Sequence, residues 1–139
     1  MLSVTKVFTF EAAHAISSYD GACKNIHGHS YELHVTVVGK VVEETAMIMD
    51  FKKLKSIVQQ EVLNDFDHAL LLKINELNTE LSHSLTTKLV WMKQEPTAEY
   101  LLLEILARIR NQLPKGVFLK RLKLYETATC YAEWDNTAL

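Results

Sequence analysis

The 139-residue sequence predicts an α+β domain, a mainly antiparallel sheet of four strands with two helices on one face in the order ββααββ. Three observations predict it. The N-terminal part of the chain holds two runs of strand character. The middle carries two stretches with helical periodicity. The C-terminal end returns to strand character on both sides of a turn.

The first run, "SVTKVFTF" from Ser3 to Phe10, alternates polar and apolar residues, as a half-buried strand does. The second, "SYELHVTVVGKVV" from Ser30 to Val42, is rich in β-branched and aromatic residues and gives a longer strand ending near Gly39. Asp50 is placed to cap "FKKLKSIVQQEVL", where Phe51, Leu54, Ile57, Val58 and Val62 share one helical face. In "EPTAEYLLLEILARIRNQLPKG" Pro96 and Thr97 open a second helix. Leu102, Leu106, Ile109 and Leu113 stripe it, and Pro114 with Gly116 stops it. "VFLKRLKLYETATCYAEW" supplies two more strands around a turn near Thr127 to Thr129. Between Lys73 and Gln94 no element is clear, although "KLVWM" (Lys88 to Met92) could add a short strand. A connection that long inside a compact domain is either functional or misread.

No repeat, low-complexity segment or Gly/Ser linker divides the chain, so residues 1–139 read as a single domain. With 48% apolar residues, four glycines and two prolines, the composition is that of a globular protein. A net charge of −2 offers neither a basic footprint for nucleic acid nor a polybasic arm for anionic lipid. No apolar run approaches the ~18 residues of a membrane span. "MLSVTKVFTFEAAH" alternates instead of forming the apolar core of a signal peptide. Two cysteines fit a reducing compartment, and the expected location is the cytoplasm.

The chemistry concentrates between residues 10 and 35, which hold His14, Cys23, His27 and His29. His27 and His29 stand two apart where the second strand begins, so both imidazoles project from one strand face. A hairpin of the first two strands brings His14, just past the first, beside them. Three neutral imidazoles suit Zn²⁺ at ~2.0–2.1 Å and leave a fourth position open. Cys23 has two readings: a fourth ligand closing a structural Cys-His₃ site, or a free thiolate beside an open metal. Asp67 and His68 form an adjacent pair after the first helix. The pair is either a carboxylate orienting an imidazole toward an activated thiol or a solvated helix end. Glu126, at the end of a strand rich in Leu and Tyr, is an exposed turn residue or a pocket carboxylate gripping a guanidine-like edge. His34 falls on the other strand face and is not expected to ligate. His83 is expected to face solvent, Cys130 to be a small buried hydrophobe, and Asp50 to be a helix cap.

Taken together, "FTFEAAH", the C-x3-H-G-H run from Cys23 to His29, "DH", "PTAE" and "YET" resemble, in order and rough spacing, the 6-pyruvoyl-tetrahydropterin synthase family. The resemblance spans nearly the whole chain. The short gap between Cys23 and His27 resembles the 6-carboxytetrahydropterin synthase branch of the queuosine (7-deazaguanine) pathway; the pyruvoyl-forming branch has a longer gap.

The resemblance implies the tunnelling fold, in which trimers close a β-barrel, two trimers stack and active sites lie between subunits. It implies zinc on His14, His27 and His29, Cys23 as the catalytic thiol, and Asp67 with His68 as a proton relay. Glu126 would anchor the pterin, with Thr97 and Glu99 lining the same pocket. The implied substrate is 7,8-dihydroneopterin triphosphate, converted to 6-carboxytetrahydropterin with loss of acetaldehyde and triphosphate. The chain lacks a P-loop, and Lys24 is a candidate for the triphosphate by position alone. A homo-oligomer, a trimer or a dimer of trimers, is expected. Bottom-up physics agrees on one point, because joining copies edge to edge removes the two unpaired edges of an open sheet. Rival readings are the pyruvoyl-forming synthase, another pterin side-chain lyase, and a non-enzymatic Cys-His₃ zinc module.

Overall fold

A computed structural model describes all 139 residues. Strand β1 (Ser3–His14) and strand β2 (His27–Gly39) form an antiparallel hairpin whose register pairs Phe8 with Leu33, Phe10 with Tyr31, Ala12 with His29 and His14 with His27. Directly paired residues point to the same face, so one face collects Phe8, Phe10, Ala12 and His14 with Tyr31, Leu33 and Val35. The hairpin reaches further toward its loop than the sequence suggests. β1 continues past Phe10 to His14, and β2 starts at His27 instead of Ser30. Alanine has low strand propensity, and pairing with strands on both sides overrides it at Ala12 and Ala13.

Helix α1 (Phe51–Val58) is capped as expected by Asp50, whose Oδ1 accepts from the Lys52 N–H at 2.8 Å. It runs through a π-helical turn, Gln59–Leu63, into the short α2 (Asn64–Phe66). Strand β3 (Ala69–Lys73), helix α3 (Glu76–Ser82) and strand β4 (Leu89–Met92) follow. Helix α4 (Ala98–Ile109) is capped by the Thr97 hydroxyl, which accepts from the Tyr100 N–H at 3.2 Å. Strand β5 (Val117–Tyr125) and strand β6 (Tyr131–Asp135) close the chain.

The sheet has six strands in the order β4-β3-β1-β2-β5-β6, not four. β1, β2, β5 and β6 are antiparallel neighbours as expected, but β3 pairs parallel to β1 and β4 parallel to β3. "KLVWM" does supply a strand; the "ALLLK" strand before it was not legible. Its residues are buried on both faces, with Leu71 in the main core and Leu70 and Leu72 in a smaller apolar cluster behind the sheet. A doubly buried parallel strand shows no alternation, so its sequence looks like an extension of the helix before it.

Both long helices lie on one face. Leu54, Ile57, Val58, Val62 and Phe66 from the first, and Leu101, Leu102, Ile105, Leu106 and Ile109 from α4, share one core with the inward residues of β1, β2 and β5. Phe51 is exposed although it sits on the predicted face, and Leu113 is only half-buried because α4 ends at Ile109. Gly116 adopts a positive φ of 83°, which suits glycine where the chain turns from α4 into β5. Cys130 is exposed, contrary to expectation, because it belongs to the β5–β6 turn and not to the strand.

Candidate metal centre and its surroundings

His14 is 2% exposed at the end of β1 and meets His27 and His29 across the hairpin register. The ligand-capable nitrogens of the three rings lie within 4.8 Å of one another. Backbone carbonyls fix two of the rings. His14 Nδ1 lies 2.7 Å from the Pro96 carbonyl, and His27 Nδ1 lies 2.7 Å from the Asn25 carbonyl. A carbonyl can only accept, so both Nδ1 atoms carry hydrogen and both Nε2 atoms of the neutral rings present lone pairs. Those two Nε2 atoms stand 3.1 Å apart. The contact is repulsive unless a cation, a proton or a metal ion, is shared between them.

The third nitrogen points the same way. His29 Nε2 is buried with no hydrogen-bond partner. The Glu126 carboxylate approaches it at 3.6 Å and His14 Nε2 at 3.4 Å, too far for strong hydrogen bonds. The donor set fits zinc: three imidazole nitrogens, two with carbonyl-fixed tautomers, and a 3.1 Å separation near the ~3.3 Å edge of a tetrahedral set at ~2.0–2.1 Å bonds. Tyr31 forms the floor. Its ring stacks on Phe10 at 4.9 Å and its hydroxyl lies 3.4 Å from His14 Nδ1. Burial, then the Glu126 charge, pushes the phenol far above its usual range, so it stays protonated. The His14 imidazole is held below its ordinary value. Burial is the chief cause, helped by the neighbouring His27 and His29 and opposed by the Pro96 hydrogen bond and Glu126.

The other sequence candidates are distributed. Cys23 sits exposed in a short 3-10 turn, Ala22–Lys24, and its sulfur is not among the converging atoms. Lys24 is exposed beside it. Thr97 is used as the α4 cap, and Glu99 is exposed on that helix's first turn. His34 stands apart, 3.2 Å from Glu32, and His83 is exposed near Glu80.

Asp67 and His68 lie where α2 gives way to β3. Asp67 Oδ1 accepts from the Glu11 N–H at 2.9 Å and stands 3.7 Å from the His68 ring, too far for a hydrogen bond. His68 has φ 63°, a left-handed conformation unusual for a side-chain-bearing residue, locked by its N–H donating to the Glu11 carbonyl at 2.6 Å. Its ring lines a recess of about 360 Å³ with Glu11, Ala12, Ala13, Gly28, His29, Ser30, Ala69, Leu70 and Thr87. By strand parity the Glu11, Ala13 and Ser30 side chains point to the sheet face opposite His14, His27 and His29, and Ala12 and His29 border the recess as well.

Sequence reasoning missed Tyr31 and the carbonyls of Pro96 and Asn25. Strand parity could have found Tyr31, two residues beyond His29. Backbone carbonyls leave no mark in a sequence.

Residues 3–137 match the family model described as 6-pyruvoyl tetrahydropterin synthase. A 6-carboxy-5,6,7,8-tetrahydropterin synthase of Haemophilus influenzae is 31% identical over 143 residues, covering 98% of this chain and 100% of that protein. A dihydroneopterin monophosphate aldolase of Pyrococcus furiosus is 36% identical over 118 residues, covering 85% of this chain and 83% of that one. The solved structure of Caenorhabditis elegans 6-pyruvoyl tetrahydropterin synthase superposes with a TM-score of 0.71 at 22% identity, over 98% of this chain and 96% of that one.

Proposed function

The chain belongs to the 6-pyruvoyl tetrahydropterin synthase family, and from that premise we propose that it forms 6-carboxy-5,6,7,8-tetrahydropterin. It has the family's tunnelling fold and is a lyase of that family. The substrate in this reading is 7,8-dihydroneopterin triphosphate, the other products are acetaldehyde and triphosphate, and the pathway is queuosine biosynthesis. One observation carries the zinc dependence: two carbonyl-fixed imidazoles face each other with bare Nε2 atoms 3.1 Å apart, beside a third buried Nε2 without a partner.

His14, His27 and His29 would hold the ion, and zinc bound there would supply Lewis acidity toward the hydroxyls of the substrate side chain. Cys23, as thiolate, takes a proton from a side-chain carbon. His68, with Asp67 beside it, returns protons elsewhere on the substrate. In this reading the pair, whose recess is bordered by Glu11 and Ser30, serves the site of a neighbouring copy, in a homo-oligomer that also covers the open strand edges. Glu126 accepts the ring N–H and the exocyclic amine of the pterin. Its carboxylate sits 3.4 Å and 3.6 Å from two of the histidines, close enough for one pterin to lie between Glu126 and the ion with its C6 side chain toward the ion.

A second reading has specific support in the 36% identity to a dihydroneopterin monophosphate aldolase, which places another pterin side-chain lyase in contention. Incubation with 7,8-dihydroneopterin triphosphate and its monophosphate, followed by mass analysis, separates them. The expected products are 6-carboxytetrahydropterin and acetaldehyde from the triphosphate. A 6-pyruvoyl product without acetaldehyde, or 6-hydroxymethyl-7,8-dihydropterin with release of glycolaldehyde phosphate from the monophosphate, would reassign the enzyme within its family. Zinc binding without any pterin turnover would favour a structural module.

A further inference from the structure

The geometry points to Glu95 as the positioning residue for the loop that carries Cys23, an inference resting on the reading of Cys23 as the acid–base thiol. The connection between β1 and β2 has no regular structure beyond its 3-10 turn. It closes on itself: the Ile16 N–H donates to the Cys23 carbonyl at 2.8 Å, and Tyr19, Lys24 and Asn25 donate to carbonyls within the loop. From Ser18 to Ile26 every residue is exposed, so apolar burial does not hold the tip in place.

Hydrogen bonds from other elements hold the loop at two places. At its far end the His27 ring donates to the Asn25 carbonyl. At its near end the Glu95 carboxylate accepts from the Ser17 N–H at 2.9 Å, the Ser17 hydroxyl at 2.5 Å and the Ser18 N–H at 3.2 Å. Asn75, the cap of α3, donates to the same hydroxyl at 2.9 Å. Charge-assisted bonds of this kind are short and directional, and this carboxylate is partly buried. Ile16, one residue before Ser17, bonds the carbonyl of Cys23 itself, so the restraint passes directly to the thiol's backbone. The residue after Glu95 is Pro96, whose carbonyl fixes the His14 ring. One dipeptide therefore sets the thiol loop and a histidine of the cluster against each other.

The test uses the full chain with Cys130→Ser, so that Cys23 is the single reporting thiol. Glu95→Ala removes all three bonds, Glu95→Gln keeps the shape, and Ser17→Ala removes the hydroxyl alone. Amide hydrogen exchange over residues 15–26, iodoacetamide alkylation of Cys23 as a function of pH, zinc content, kcat and KM are measured. In Glu95→Ala exchange of the loop should quicken and the alkylation profile should move. There kcat should fall roughly 10²-fold, the cost of misplacing a reacting group by about 1 Å, at nearly constant KM and zinc content, with partial rescue in Glu95→Gln. Unchanged exchange and alkylation would overturn the proposal, and so would faster exchange with unaltered kcat. If the wild type does not turn over the substrate, the functional reading fails, and exchange and alkylation still decide whether Glu95 holds the loop. Should Glu95→Ala fail to fold, Glu95→Gln and Ser17→Ala carry the same comparison.

Discussion

His14 uses Nδ1 on a carbonyl and offers Nε2 to its neighbours, an arrangement that selects for a neutral ring. In the metal-free protein its imidazole sits below the ordinary 6.5, chiefly through burial. An unfolded chain takes up that proton near 6.5 and the folded one only at lower pH, so acid favours unfolding. No stability is lost on this account above about 6.5, and the loss grows as pH falls toward the folded value. Melting of chelator-treated protein between about pH 7 and 5 should therefore fall more steeply in wild type than in His14→Gln; parallel slopes would show that another group is responsible. His27→Ala should lose most of its zinc, whereas Cys23→Ala, whose thiol stands outside the cluster, should keep zinc and lose turnover by roughly 10²–10⁴. Early melting and zinc loss in Cys23→Ala would make the thiol a ligand. In the proposed reading Glu126→Gln replaces one carboxylate acceptor facing the pterin's donors by a donor, so titration with biopterin or sepiapterin should show binding weakened by about 2–5 kcal/mol at constant zinc content. Equal affinities would mean that Glu126 does not read the ring.

At the scale of elements, the β1–β2 hairpin builds the histidine cluster and the helices brace it. Strand parity places His27 and His29 on one face, and antiparallel register sets His14 against His27. The same parity sends Phe8, Phe10, Tyr31 and Leu33 into the core beneath α1 and α4, so the cluster stands at the end of a well-packed row. α4 contributes through its N-terminus: the Thr97 cap fixes where the helix starts, and the Pro96 carbonyl just before it orients His14. α1 is farther away, and its cap is a matter of stability alone. Asp50→Ala should cost about 1 kcal/mol in urea unfolding, the usual worth of such a cap, without changing zinc content. A change in zinc content would show that α1 reaches the site. These elements were legible because a strand period of two and a helix period near 3.6 are written in adjacent residues.

For the whole molecule, strand parity sets the side chains of Glu11, Ala13 and Ser30, which border the His68 recess, on the sheet face opposite His14, His27 and His29. β4 and β6 also leave unpaired edges. In the proposed reading a second copy completes the relay, so inactive variants should complement each other. Cys23→Ala mixed with His68→Ala under subunit exchange should regain a substantial fraction of wild-type turnover, because some sites receive both intact residues. Zero recovery with proven exchange would place the whole relay within one chain and overturn the shared-site reading.

By itself the sequence determined the hairpin, the clustering of His14, His27 and His29, the two capped helices and the final strand pair with Glu126 at its turn. Each depends on chain-local periodicity or on residues brought together by a single turn. Tertiary structure alone decided that "ALLLK" is a strand, since burial on both faces erases the alternation that would identify it. It alone placed Glu126 against His14 and His29, through the β2–β5 pairing, and tied Asp67 and His68 to the backbone of Glu11. Likewise the Pro96 and Asn25 carbonyls that fix two histidines and the Glu95 carboxylate that holds the Cys23 loop were settled by packing. Every residue has a carbonyl, and which one meets an imidazole depends on how distant strands and helices stack, not on the order of neighbouring side chains.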